Sequence, residues 1–177
     1  MLRHFHLTVK QWFSILKWFV YSALLLMTIV VQSVIFARTP IFGAKLQIVP
    51  VLLCCVCIRE GPEQGGLFVL LGSLFYSLSG VDFGSIMILL LTFCCVFSAV
   101  LCSSLLVNRF YTAAICCFLT NLLNEGLIFP FKIFLSDIAP ANFWRVLLPG
   151  AALSLLAFPV LYPLVKAISR IGGSHDL

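Results

Sequence analysis

Three polar residues lie close together in a stretch of the chain that is otherwise apolar. Asn121, Asn124 and Glu125 are spaced i, i+3 and i+4, which places their side chains on one facet of a helix. In a membrane helix a carboxylate is costly and normally faces protein or water. Two interpretations stay open: a structural facet tied to neighbouring helices by hydrogen bonds, or a facet that holds a ligand or carries protons.

A second pattern lies in the segment GSLFYSLSGVDFG, residues 72–84. The small residues Ser73, Ser77, Gly80 and Gly84 follow one another at steps of four, three and four. A continuous helix would therefore carry them on one face. Small residues let membrane helices approach closely, and the pattern therefore predicts a helix-packing or partner-contact surface. In the alternative interpretation, residues 80–85 form the turn into the next helix. The surface is assigned to Gly72, Ser73, Tyr76, Ser77, Gly80 and Gly84.

The thiols are the remaining groups that could do chemistry. The eight cysteines all lie in apolar runs: Cys54, Cys55, Cys57, Cys94, Cys95, Cys102, Cys116 and Cys117. A metal site would need further ligands, and the histidines lie only near the two termini. We interpret the cysteines as small packing residues. No pattern of catalytic residues is present, so we expect no enzyme activity, no cofactor and no metal.

The elements that would position these residues are membrane helices. Hydrophobic residues make up 62% of the 177 and charged residues 10%, far from the balance of a soluble domain. At about 20 apolar residues per span, the chain predicts an all-α integral membrane protein with about six transmembrane helices in one compact bundle. Residues 59–66 are predicted to form a polar turn between the second and third spans. The spans are predicted at 18–37, 41–58, 66–80, 85–107, 111–131 and 146–168, within a single domain, 1–177.

The distribution of lysine and arginine predicts the orientation. With the amino terminus in the cytoplasm, the inside segments hold most of the basic residues, which favours a multi-pass protein of the cytoplasmic membrane with both termini inside. The net charge of +5 indicates anionic membrane lipids as partners. Nucleic acid is not expected, because no segment long enough to fold in water carries a basic face.

Three blocks of sequence carry a resemblance to a known family: RTPIFGAKLQIVP (38–50), EGPEQGGLFVLLGSLFYSLSGVDFG (60–84) and FWRVLLPGAALSLLAFPVLYPLVKAISR (143–170). They resemble the MreD family, small membrane proteins of the bacterial rod-shape machinery, and the first two blocks look most like its clostridial members. Many members carry an acid four residues after the glycine that matches Gly72, where this chain has Tyr76. The resemblance implies a six-span protein, similar in size and span number to the substrate-binding components of energy-coupling-factor transporters.

The same resemblance implies a non-catalytic scaffold for cell elongation and lateral peptidoglycan synthesis. Its implied partners are MreC above all, then the MreB filament and the transglycosylase and transpeptidase pair that builds the wall. The main alternative is a vitamin-binding component of an energy-coupling-factor transporter, in which Asn121, Asn124, Glu125 and Tyr76 line a pocket. A helper protein that handles lipids is a third possibility, because a polar facet in the bilayer also suits lipid headgroups.

Overall fold

The structure, a computed structural model, describes residues 9–36, 47–79, 84–104, 109–136 and 143–171. Every described residue except Gln47, Gly61 and Ser79 lies in a helix, which confirms the all-α prediction for these ranges. A π-helical turn, Gln32–Phe36, continues the first helix. The helices are α1 (Val9–Val31), α2 (Ile48–Glu60), α3 (Pro62–Leu78), α4 (Gly84–Ser104), α5 (Arg109–Ser136) and α6 (Phe143–Ile171).

Four of these helices are long and apolar enough to cross a membrane. Their qualifying stretches are Trp12–Val34 in α1, Ile86–Ser104 in α4, Phe110–Pro130 in α5 and Gly150–Arg170 in α6. The other two are shorter, since α2 has 13 residues and α3 has 17, against the roughly 20 that usually cross the hydrocarbon core. The described chain is therefore a multi-pass membrane protein with four candidate spans.

The short helix α2 is the centre of the bundle. It packs against each of the other five helices, and every residue from Val49 to Cys57 is buried. Because protein rather than lipid surrounds it, α2 has no need of the length of a lipid-facing span. Pro50 is tolerated in its first turn, where the backbone N–H groups have no partner within the helix.

The connection between α2 and α3 is tighter than the sequence predicts. Residues 59–66 were expected to form a turn, but only Gly61 lies between the two helices. Its φ of 90° is in the left-handed region that favours glycine. Pro62 then occupies the first position of α3 and Glu63 its first turn, both favourable at a helix amino terminus. The expected turn is thus wrong for residues 59–60 and 62–66, which are helical.

Most helix ends lie within a few residues of the ends of the predicted spans, and there are two main differences. Helix α1 begins at Val9 rather than near residue 18, and α2 begins at Ile48 rather than near residue 41. Residues 37–46 lie outside the described part of the chain. The last helix continues through its three prolines without a break, since a membrane helix has no alternative backbone partner in lipid.

Candidate functional site

A group of polar side chains surrounds the amino terminus of α2. We call it the Glu125 cluster and define it as Gln32, Gln47, Tyr76, Asn124 and Glu125. The members come from the π-helical turn after α1, the residue before α2, the end of α3 and the second half of α5. Sequence analysis identified three of these residues and missed the two glutamines. A lone amide in each of the first two predicted spans was the available signal.

Gln32 joins three helices through one carboxamide. Its Oε1 accepts hydrogen bonds from the backbone N–H groups of Ile48 and Val49, both at 2.9 Å. Its Nε2 donates to the hydroxyl of Tyr76 at 2.6 Å. The residue that precedes α2, Gln47, makes no side-chain cap. The first N–H groups of a helix need an acceptor outside the helix. The side chain of Gln32 provides that acceptor and therefore caps α2.

The three polar residues predicted to share a facet of α5 differ in their hydrogen bonding. Glu125 accepts a hydrogen bond from Nε2 of Gln47. Asn121 is buried and donates to the carbonyl of Cys117 in its own helix at 3.0 Å. Asn124 is completely buried, and neither its Nδ2 nor its Oδ1 has a hydrogen-bond partner among the described residues. An unsatisfied buried amide is destabilising, so Asn124 is the side chain in this cluster whose presence the fold does not explain.

The small-residue face of α3 packs against other helices of the same chain. The Ser73 hydroxyl lies 3.3 Å from Oγ1 of Thr92 in α4 and is fully buried. A Cβ added to Gly72 would lie 2.7 Å from a methyl group of Leu53 in α2. Tyr76 also faces inward, and Ser77 is half-buried. Gly72, Ser73 and Tyr76 therefore contact α2, α4 or the turn after α1 of the same chain rather than a partner protein.

The predicted packing surface does not lie on a single helix. Helix α3 ends at Leu78 and α4 begins at Gly84, so Gly84 belongs to the next element. Gly80 lies in 80–83, outside the described residues. The alternative interpretation, in which this segment turns the chain between two helices, agrees with these helix ends.

A second polar group, which sequence analysis missed, lies at the carboxyl end of α2. We call Lys17, Tyr21 and Glu60 the Glu60 cluster. The Lys17 ammonium is 2.6 Å from Oε2 of Glu60, with both side chains under a tenth exposed. The Tyr21 hydroxyl donates to Oε1 of Glu60 at 2.9 Å and lies 3.3 Å from the carbonyl of Val165. The cluster thus ties α1, α2 and α6 together.

The two clusters lie at opposite ends of α2. From Ile48 to Glu60 the helix rises about 18 Å, and between them the core is a layer of small polar and thiol groups. The Cys54 sulfur is 3.4 Å from Oγ1 of Thr120, which also bonds Ser98, and the sulfurs of Cys55 and Cys117 are 3.8 Å apart. Seven of the eight thiols are buried and all are free, as expected of packing residues.

The buried hydroxyls of Ser73, Ser98 and Thr120 donate to helix carbonyls or pair with one another. No general base lies among their hydrogen-bond partners in the described ranges, and a hydroxyl nucleophile needs one. Within the same ranges, no three His, Cys, Asp or Glu side chains are grouped to hold a metal ion. No protein-family model, curated protein or solved structure matches the chain.

Proposed function

We propose that this protein is a non-catalytic scaffold of the cytoplasmic membrane that supports cell elongation, as the resemblance to the MreD family implies. In this proposal all six helices are spans, with the short α2 crossing at the centre of the bundle and the short α3 crossing beside it. Both termini face the cytoplasm, and MreC is the principal partner. The transglycosylase and transpeptidase pair and the MreB filament act with that complex.

The observation that carries the proposal is the position of α1. Its membrane-crossing stretch has the smallest buried share of the four, 28%, yet each end of the helix is fixed to the bundle by polar contacts. Lys17 and Tyr21 bind Glu60 at one end, and Gln32 binds the start of α2 at the other. A helix that is fixed at both ends and broadly exposed offers a rigid apolar face, the kind of surface that a partner helix in a bilayer can pack against.

Site-specific photocrosslinking tests this proposal in native membranes. A photoreactive amino acid at Phe19 or Met27, 71% and 68% exposed on α1, is expected to capture MreC. The matched controls are Leu89 on α4 and Leu156 on α6, each 70% exposed, which are expected to react mainly with lipid. Capture of MreC from neither α1 position, or equally from all four, would contradict the proposal.

Asn124 favours a second candidate function, the binding of a small molecule such as a vitamin. Its buried amide offers a donor and an acceptor with no partner, and Tyr76 and Glu125 belong to the same cluster. A ligand that entered between α2 and α5 would satisfy this amide. A binding protein should gain thermal stability from one member of a vitamin panel, and Asn124→Leu should abolish that gain. A scaffold should show no gain, and Asn124→Leu should leave its stability equal or higher.

A further inference from the structure

Arg59 is a cationic side chain to which the described part of the fold gives no counter-ion. It lies in the last turn of α2, next in sequence to the Glu60 cluster. Both carboxylate oxygens of Glu60 are taken, one by Lys17 and one by Tyr21. No hydrogen bond or ion pair joins the Arg59 side chain to another described residue, and its Nε is shielded from solvent without a partner.

A guanidinium that no described residue pairs, in such a position, calls for an anion. Withdrawing its N–H groups from water without an acceptor is costly, and arginine remains charged in proteins. Because the side chain as a whole is only partly buried, its outer edge remains accessible. The flat guanidinium presents paired N–H donors that match the oxygens of a phosphate group.

Neighbouring aromatic residues place Arg59 near the membrane surface. Trp18 packs against Tyr21 and Phe68 with ring centroids 5.8 and 5.5 Å apart, and the Lys17 ammonium lies 5.4 Å from the Trp18 ring centroid, so Trp18 borders the Glu60 cluster. Tryptophan and tyrosine favour the level of the lipid headgroups. At the same end of the bundle, Lys166 and Arg170 on α6 are exposed, so the local charge attracts anions.

We propose that Arg59 binds the phosphate group of a membrane phospholipid at the end of the bundle that holds the Glu60 cluster. The phosphate accepts hydrogen bonds from the guanidinium edge, and the acyl chains lie along the apolar outer faces of the neighbouring helices. The site is independent of the proposed scaffold role, since it needs no partner protein.

The test is lipid retention by the purified full-length protein, measured by native mass spectrometry in detergent. The probes are phosphatidylglycerol, a neutral glycolipid with the same acyl chains, and inorganic phosphate. The wild type should bind phosphatidylglycerol in preference to the glycolipid. Arg59→Gln should weaken that binding at least about tenfold, which is the loss expected for a charge-assisted hydrogen bond. Arg59→Lys should fall between the two, because lysine keeps the charge but loses the paired donors.

Arg170→Gln is the matched control, because Arg170 is an exposed arginine at the same end, in the last turn of α6. Because it removes one exposed charge that attracts anions but no proposed contact with the phosphate, its loss of phosphatidylglycerol binding should be clearly smaller than that of Arg59→Gln. If Arg59→Gln does not fold, as judged by size-exclusion profile and helicity, Arg59→Lys decides the question alone. Undiminished lipid binding by the Arg59 variants, or equal losses in the Arg59 and Arg170 variants, would overturn the site. Binding of inorganic phosphate without the lipid would overturn the lipid as its ligand.

Discussion

At the scale of single residues, the sequence showed which side chains are unusual but not which residues they contact. Glu125 was identified as a carboxylate that should face protein or water, yet its partner Gln47 precedes it by 78 residues and no local pattern connects them. Lys17 was counted only as a basic residue that sets topology. It is buried because Glu60, 43 residues later, reaches it. Such pairs depend on how helices are arranged, which local periodicity does not encode.

Lys17 and Glu60 give a prediction about stability. Lys17→Met should lower the free energy of unfolding by about 3 kcal/mol, because it leaves a buried carboxylate without its counter-ion. The double variant Lys17→Met, Glu60→Met should recover most of this loss, since an apolar pair of similar size needs no counter-ion. Denaturant titration in mild detergent measures both. A double variant that is less stable than Lys17→Met would show that the ion pair itself stabilises the bundle.

At the scale of elements, composition and periodicity located the helices, and tertiary contacts set their ends. The predicted polar turn at residues 59–66 shows that composition did not locate the ends of the helices. Polar and glycine residues there suggested a loop, but Pro62 and Glu63 begin α3 directly after Gly61. The glycines that follow serve packing between helices. Gly65 faces α2 so closely that an added Cβ would lie 2.7 Å from the Cα of Cys57.

Gly65 and Gly126 form a matched pair of substitutions within helices. Gly65→Ala should destabilise the protein by about 1 to 3 kcal/mol, because the methyl group meets backbone atoms that cannot move aside without separating α2 from α3. Gly126→Ala in α5 should change stability by less than about 1 kcal/mol, since alanine favours helix and nothing lies within 4 Å of its Cβ. Unfolding in detergent compares them. Equal effects would mean that α2 and α3 do not approach this closely.

At the scale of the whole molecule, the sequence predicted an all-helical membrane protein but not the central position of α2. A helix that is apolar on every side has the same sequence pattern whether lipid or protein surrounds it. The run from Val49 to Cys57 therefore could not reveal that five helices enclose it. A length of 13 residues is the feature that separates α2 from the four helices long enough to cross a membrane.

The orientation of α3 tests the six-span arrangement. Glu63 and Ser79 are exposed at its two ends, about 24 Å apart along the helix. In a background with Cys102 replaced by serine, Glu63→Cys should react with a membrane-impermeant maleimide only from the cytoplasmic side. Ser79→Cys should react only from the opposite side. The remaining native cysteines are buried and serve as the internal blank. Labelling of both positions from one side would exclude a crossing by α3.

The enclosed position of α2 has a consequence for how the protein is made. This helix is synthesised before four of the five helices that surround it, so during translation it has neither its final neighbours nor the length to settle securely in lipid. The nascent chain must keep α2 beside α1 or within the insertion machinery until α6, the last of these five helices to be synthesised, arrives. Ribosome-bound chains that stop before α6 should therefore be degraded rapidly, whereas completed chains persist.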